Sequence, residues 1–501
     1  MSFTDEKITV RYNGELLSAE AGLTLSEIVG GEKPCGGHGK CGKCKVVARG
    51  NISAPCETEL KHLGKDELEK GIRLACLTRA LGDCEVSDVA AADTAQIMTD
   101  GVLGAFNISP DFKEYGVAID IGTTTIASQL YDKAGKLLAV SACLNPQSEW
   151  GADVISRIEA ALDGKADLLA DAVRGAIDKL VDELAESAAV DKEKIDSAVI
   201  TGNTVMLCLL AKESVEPLSH APFEAKRLFG ETLCASELEL SSLKGDAEVY
   251  LPPCMAAFVG ADTACAVIAT RLCDGERALM VDIGTNGEMA LWSGDSLSVC
   301  STAAGPAFEG VGISMGMRGA EGAIDKVNIV DGKLAAHVIG DGEPVGICGS
   351  GLIDAVACLL DLEEIDETGA MDDDVCVISA PVELTQDDIR MVQLAKSAIC
   401  AGMQTLADSG KMTLSDVGTV YVAGGFGNYL NMNNAEKVGL LPSGIAKKTE
   451  TVGNAALGGA AMLLLAPSMR SECESIAKNV EVIELSTNKL FSDLYIEGMF
   501  F

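Results

Sequence analysis

The sequence predicts an α/β protein of two similar lobes with a small β-rich unit in front of them. Three observations predict it. From Tyr115 onward, apolar strand-like runs alternate with helical patterns, the alternation that marks α/β domains. Within that region one pattern occurs twice. Gly116-Val-Ala-Ile-Asp-Ile-Gly-Thr-Thr-Thr-Ile-Ala-Ser returns in form as Ala278-Leu-Met-Val-Asp-Ile-Gly-Thr-Asn-Gly-Glu-Met-Ala, which sets Asp120 and Asp282 162 residues apart. Finally, residues 1–92 hold 12 Lys+Arg against 14 Asp+Glu, whereas the whole chain holds 39 against 75, so nearly all of the net charge of −36 lies beyond residue 92.

A chain of 501 residues is expected to form roughly three units of ~150 residues. The divisions expected here are 1–92, a linker over 93–114, a first lobe over 115–275, and a second over 276–501 whose end returns to the first. In the front unit, Ile8 to Tyr12 alternates as a strand, and Asn13-Gly14 is a strong hairpin turn. Leu23 to Val29 reads as a short helix ended by Gly30-Gly31, and Lys45 to Ala48 and Ile72 to Ala75 read as further strands. Residues 93–114 have no period and contain Gly101, Gly104 and Pro110. As a free coil they would span about 25 Å.

Composition removes several functions. A net charge of −36 repels phosphate backbones and anionic lipid surfaces, so neither nucleic acid nor membrane is an expected partner. The start, MSFTDEKITV, is charged rather than apolar, so no secretory signal is expected, and the apolar run Ala455 to Pro467 falls short of the ~20 residues a membrane span needs. Of 18 cysteines, most are scattered singly through apolar contexts, the habit of buried thiols in a reducing compartment. A cytoplasmic, anaerobic setting is expected. The four histidines (His38, His62, His220, His337) stand in unrelated contexts and do not suggest a metal site.

The exception among the cysteines is Cys35-Gly-Gly-His-Gly-Lys-Cys41-Gly-Lys-Cys44, followed by Cys76. Four thiolates are what a 2Fe–2S cluster needs, and the spacing is near the plant-type C-x4-C-x2-C with a distant fourth. The glycines let the backbone wrap closely and aim N–H groups at sulfur. A structural zinc site is the alternative, but zinc ligands usually come as two paired knuckles and the second pair is missing. Cys56 and Cys84 are spare. Lys33, Lys40, Lys43 and Lys45 form either a solvated rim or a collar for an acidic electron donor.

The repeated hairpin suits an oligophosphate. A tight turn of Gly and Thr offers N–H groups and hydroxyls, and an Asp at the strand end can hold Mg²⁺ through water. A later run, Val420-Tyr-Val-Ala-Gly-Gly-Phe-Gly427, is an apolar strand entering a glycine pair (Gly424, Gly425), suited to close approach by an adenosine.

These three elements resemble the phosphate-1, phosphate-2 and adenosine motifs of the acetate/sugar kinase, heat-shock cognate and actin superfamily. With the cysteine loop in front, the chain resembles the ferredoxin-containing, ATP-dependent reductive activators of corrinoid proteins. Asn145-Pro-Gln, Gly151 to Arg157, Gly202-Asn-Thr204, Ala304 to Gly310 and Cys348 to Asp354 fit the same family. One departure is the short 93–114 linker, where better-known members carry a sizeable segment.

The resemblance implies an actin-like two-lobed ATPase with an N-terminal β-grasp ferredoxin domain. It implies a 2Fe–2S cluster on Cys35, Cys41, Cys44 and Cys76, and ATP with Mg²⁺ at the hairpins. Asp120, Asp282 and Glu288 are the catalytic candidates, with a solvated strand position as the alternative for Glu288. Gly122, Thr123, Thr124, Thr125, Gly284, Thr285, Asn286, Gly287, Gly424, Gly425, Phe426 and Gly427 are the nucleotide-binding candidates. Asp262 is either a helix cap or a site carboxylate, and Asp354 is similarly divided between a connecting helix and the site. The implied partners are a corrinoid protein of a methyltransferase system, with Ser301 to Gly310 as either its contact or a nucleotide-lobe packing loop, and a low-potential electron donor, and a homodimer is compatible with the family. Other classes are an electron activator of a different metalloenzyme, and a small-molecule kinase or ATPase with a redox-sensing cluster. A plant-type cluster near about −400 mV facing a gap of ~200 mV would meet roughly 4–5 kcal/mol of opposition. ATP must therefore change the complex rather than add driving force at a distance.

Overall fold

The alternating N-terminal residues form strand β1 (Lys7–Tyr12), with Ile8 and Val10 buried and Lys7, Thr9 and Arg11 exposed. The structure is a computed structural model and describes residues 7–12, 15–30, 39, 44–64, 68, 71–88 and 97–501. The chain divides into two compact units, residues 1–93 with 146–169 and residues 94–145 with 170–501.

In the first unit, β2 (Glu15–Glu20) pairs antiparallel with β1, Tyr12 facing Glu15, and the expected turn residues 13 and 14 lie outside the described residues. Strands β3 (Lys45–Ile52), β4 (Ile72–Leu74) and β5 (Ala80–Asp88) complete a sheet ordered β2-β1-β5-β3-β4. β5 runs parallel to β1 and antiparallel to β3, which is the β-grasp arrangement. Thr24 and Glu27 cap each other at the start of the helix Leu25–Val29, closing two otherwise orphaned N–H groups. Val10, Leu25, Leu74, Ala80 and Val86 make the core of this sheet.

In the second unit the sequence repeat becomes a repeat of topology. Strands β6 (Tyr115–Ile121), β7 (Thr125–Asp132) and β8 (Leu137–Leu144) form an antiparallel meander, and β9 (Ile195–Gly202) joins parallel to β6. With β10 (Glu231–Cys234) and β11 (Glu248–Leu251) the order is β10-β11-β9-β6-β7-β8. Strands β12 (Ala278–Ile283), β13 (Gly287–Trp292) and β14 (Leu297–Thr302) form the second meander. Three strands, β15 (Ala323–Val330), β16 (Lys333–Val338) and β17 (Gly346–Ile347), make a small separate sheet, and β18 (Val375–Ser379) pairs with β19 (Val382–Thr385). β20 (Thr419–Ala423) runs parallel to β12 as β9 does to β6, and β21 (Thr449–Gly453) and β22 (Glu481–Val482) complete β21-β20-β12-β13-β14-β22. Two matching sheets with this strand order are the actin-like, two-lobed ATPase fold.

The apolar run at 455–467 is a core helix, Ala455–Leu465, with every residue buried. It packs on the buried helix Ala261–Thr270 so closely that a Cβ on Gly459 would come within 1.9 Å of the Cys265 carbonyl. Glycine at that point is a condition of the packing. No helix among the described residues is long and apolar enough to cross a membrane.

The free-coil reading of the linker is corrected from Ile97 onward. Asp100 accepts from the Asn454 N–H at 2.9 Å, Val102 donates to Val452 at 3.0 Å, Gly104 to Ala269 at 2.9 Å and Ser109 to Leu465 at 2.8 Å. A Cβ on Gly101 would lie 2.0 Å from the Asn454 carbonyl. These glycines mark close backbone approach, so the ~25 Å reach of a free coil does not apply to residues 97–114.

Candidate functional site

Asp120 is the sixth residue of β6 and Asp282 the fifth of β12, each just before the strand opens into its turn. Both turns, with the glycine pair after β20, face one cavity of about 780 Å³. Its lining includes Asp120, Gly122, Thr123, Thr124, Thr125, Asp282, Gly284, Thr285, Asn286, Glu288, Gly424, Gly425 and Phe426. Gly287 and Gly427 are not in that lining. A Cβ on Gly287 would meet Ile399 at 2.2 Å and one on Gly427 would meet Val422 at 2.4 Å, so these two serve packing. Gly424 has a left-handed φ of 91°, and a Cβ there would fall 2.7 Å from Asp282 Oδ1, which keeps this approach open only to glycine.

The cavity is strongly acidic. Asp262 joins Asp120, Asp282 and Glu288 in its wall. It is the second residue of the helix Ala261–Thr270, whose N-cap is Gly260, so Asp262 does not cap that helix. Burial pushes the Asp120 carboxyl up to about 7, against the Asn454 amide that donates to its Oδ2 at 3.0 Å, with Asp262 and Asp282 adding to the rise. Burial and Asp262 push Asp282 up to about 7, and burial pushes Asp262 up to about 6. Glu288 stands directly across the strand pair from Asp282, and burial with those two aspartates holds it well above the carboxylate range. It is half-buried and faces the cavity, which sets aside a solvated strand position. Such a cluster asks for either protons or a divalent cation.

Several members of the site carry no assigned role in the sequence reading, although Asn145, Asn203 and Glu309 lie in stretches that fit the family. Glu309 accepts from the Thr124 hydroxyl at 2.5 Å and from the Thr285 hydroxyl at 2.7 Å, joining the two hairpins. Asn203 donates to the Thr123 hydroxyl at 3.2 Å, and Asn145 donates to the Gly122 carbonyl at 2.8 Å. Asn454 was legible only as a polar residue heading an apolar run, the pattern of a helix cap, and it caps Leu457 at 2.8 Å. His337 also lines the cavity, its Nδ1 2.5 Å from Asp325 Oδ1. Asp354, in contrast, is buried and tied to Asn434 and the Val327 N–H, a structural post.

In the first unit, the Cys44 and Cys76 sulfurs are buried and 3.1 Å apart. The Cys44 thiol and burial push Cys76 far above the usual thiol range, while the Gly39 N–H bears on it in the opposite sense. Gly39 has φ +69°, and a Cβ there would come within 3.0 Å of Leu77. Buried Glu59 fixes the strand beneath, pairing with Arg73 at 2.9 Å and accepting from Thr78 at 2.8 Å and the Leu74 N–H at 3.2 Å. Two buried thiols in contact, with a backbone amide aimed at one, fit a thiolate-bound iron–sulfur centre. Cys35, Cys41, Lys33, Lys40 and Lys43 lie outside the described residues.

With this geometry in hand, the comparisons with known proteins are specific. Residues 276–501 match the family model described as the C-terminal domain of RACo, the ASKHA domain, and residues 115–274 match the RACo middle region. A corrinoid activation enzyme, RamQ, of Eubacterium limosum is 34% identical over 77% of this chain and 70% of its own length. A [Co(II) methylated amine-specific corrinoid protein] reductase of Methanosarcina barkeri is 28% identical over 76% of each chain. The solved structure of a reductive activator for corrinoid, iron-sulfur protein superposes with a TM-score of 0.73 at 28% identity, covering 98% of both chains.

Proposed function

The chain belongs to the family of ATP-dependent reductive activators of corrinoid proteins, and we propose that its two units carry the two halves of that activity, an iron–sulfur site in the first and an ATP site in the second. The reaction returns corrinoid cobalt from Co(II) to Co(I), so that the corrinoid protein again accepts a methyl group. What carries this reading is the convergence of both strand-Asp-turn hairpins and the Gly424-Gly425 pair on one acidic cavity.

In that cavity the hydroxyls of Thr123, Thr124, Thr125 and Thr285 and the turn at Asn286 bind the phosphates, while Gly424, Gly425 and Phe426 border the adenosine. Asp120 and Asp282 would hold Mg²⁺, whose charge would offset the cost of burying Asp262 and Glu288 beside them. Glu288 orients the attacking water. In the first unit Cys35, Cys41, Cys44 and Cys76 hold a 2Fe–2S cluster, which when bound supplies one low-potential electron at a time. The chain's own residues shield that site: Cys44 and Cys76 are buried, and the Glu59–Arg73 pair locks the strand leading to Cys76. The loop Ser301 to Gly310, which follows the second hairpin, packs in the nucleotide lobe, with Ala304, Ala307 and Phe308 buried and Glu309 lining the cavity, rather than offering a contact to the corrinoid protein. A low-potential donor refills the first unit. All cysteines among the described residues are free thiols, in keeping with a cytoplasmic setting.

Iron and sulfide analysis with EPR of the reduced full-length protein tests the cluster. About two irons per chain and an axial or rhombic signal are expected. One zinc per chain and no iron would contradict it.

A further inference from the structure

Glu309 bridges the two strand-Asp-turn hairpins, at the hydroxyls to which the reading above assigns the phosphates. Its two carboxylate oxygens take the hydroxyls of Thr124 and Thr285, one from each phosphate hairpin, at 2.5 and 2.7 Å. A carboxylate holding two hydroxyls in this way has the charge and the acceptor geometry of a phosphate oxygen pair. The same wall already carries Asp120, Asp262, Asp282 and Glu288, so a second anion cannot share those hydroxyls with Glu309 without strong repulsion.

Glu309 is also built into a stiff piece of chain. It ends the turn Pro306–Glu309, and Gly305 donates to the Thr285 carbonyl at 2.9 Å. The ring of neighbouring Phe308 stacks on Phe426 with centroids 4.9 Å apart and planes within 4°. The Phe308 carbonyl lies where a Cβ on Gly349 would come within 2.0 Å, and a Cβ on Gly310 would come within 2.6 Å of the Met317 backbone. A displaced Glu309 therefore moves this loop as a body, and the loop touches Phe426, which follows the glycine pair, and Gly349 in the Cys348–Ser350 turn, all of which line the cavity.

We propose that Glu309 is an internal competitor for the terminal phosphate of ATP: in the nucleotide-free protein it latches Thr124 to Thr285, and the phosphate displaces it and thereby shifts the loop Ala304 to Gly310. This rests on the reading above that these threonine hydroxyls bind phosphate. It makes Glu309 a positioning residue that trades ATP affinity for a report of nucleotide occupancy to the surface next to it.

The test uses the full-length protein with MgATP, titrated calorimetrically, and hydrogen exchange of residues 304–312. Glu309→Gln keeps the shape and removes the charge, and Glu309→Ala removes the latch. Both should bind MgATP about fivefold tighter or more, a size typical of coupling between two states. In the wild type MgATP should raise exchange in 304–312, and in Glu309→Ala exchange should be high without it. Glu321→Gln makes the same charge change in the same cavity away from the two hydroxyls and should tighten binding far less. Unchanged or weaker affinity in both Glu309 variants, or equal tightening by Glu321→Gln, would overturn the proposal while leaving the ATP site standing. If Thr285→Val left MgATP affinity unaltered, the phosphate reading and this one would fall together.

Discussion

The two strand-Asp-turn hairpins share a sequence pattern, a strand order and a place in the cavity wall, yet they are not electrostatically alike. Across from Asp120 in the first hairpin stands Ala127, whereas across from Asp282 in the second stands Glu288. Asp120 receives the Asn454 amide, which partly offsets its burial, while the causes raising Asp282 are burial and Asp262 with no such donor among them. The first turn is braced by Asn145 and Asn203, and the second is closed by its own Gly284 N–H to Asn286 carbonyl bond of 3.0 Å. A duplicated scaffold has been loaded unequally. The first hairpin is tied down as an anchor, and the second holds a like-charge pair that is satisfied only by a proton or a cation.

The largest expected effect follows from that asymmetry. Asp282→Ala should lower Mg²⁺-dependent ATP hydrolysis about a hundredfold, while Asp120→Ala should lower it about tenfold. Equal losses in the two variants would erase the distinction between anchor and cation-demanding hairpin, and unchanged hydrolysis in both would make the hairpins purely structural. In neither case should the visible spectrum of the cluster change.

Next comes stability without metal. Asp120 and Asp282 hold their protons up to about 7 and Asp262 to about 6, whereas an unfolded carboxyl releases its proton near 4. The folded form thus binds more protons in that window, and the contribution of these groups is complete below about pH 4 and lost as the pH rises through about 7. Melting of the metal-free protein should therefore move to lower temperature between about pH 5 and about pH 8, and saturating MgATP should flatten the trend. A melting temperature that rises across this interval would contradict the assignment. Glu288→Gln, which removes the cross-strand repulsion, should stabilise the metal-free protein by about 1 kcal/mol at pH 8.

The smallest effect should come from Asn454→Ser, which keeps a capping hydroxyl but removes the amide from Asp120. Activation by Mg²⁺ should weaken about threefold, the scale of one hydrogen bond. A loss as large as that of Asp282→Ala would show that the first hairpin is no mere anchor.

The repeat explains why so much of this site was legible and why some was not. A strand, an Asp and a small-residue turn are local, so Asp120 and Asp282 could be read from consecutive residues, as could the glycine pair after β20. Glu309 and Asn454 act across 185 and 334 residues of chain, and nothing near them in sequence marks the hydroxyl or carboxylate they meet. Glu288 was ambiguous because an alternating strand residue faces either solvent or a cavity, and only the opposing sheet decides which. The linker was misread for the same reason: Gly101 and Gly104 look like flexibility until the backbone that passes 2.0 Å from one missing Cβ is known.

The most direct test of the central account is the absorbance of a Co(II) corrinoid protein mixed with the cluster-reduced full-length protein, with and without MgATP. The account predicts conversion to Co(I) that requires MgATP, fails with Cys41→Ser, and is lost with Asp282→Ala although that variant keeps its cluster. Equal conversion with and without MgATP, or undiminished conversion by Asp282→Ala, would contradict it.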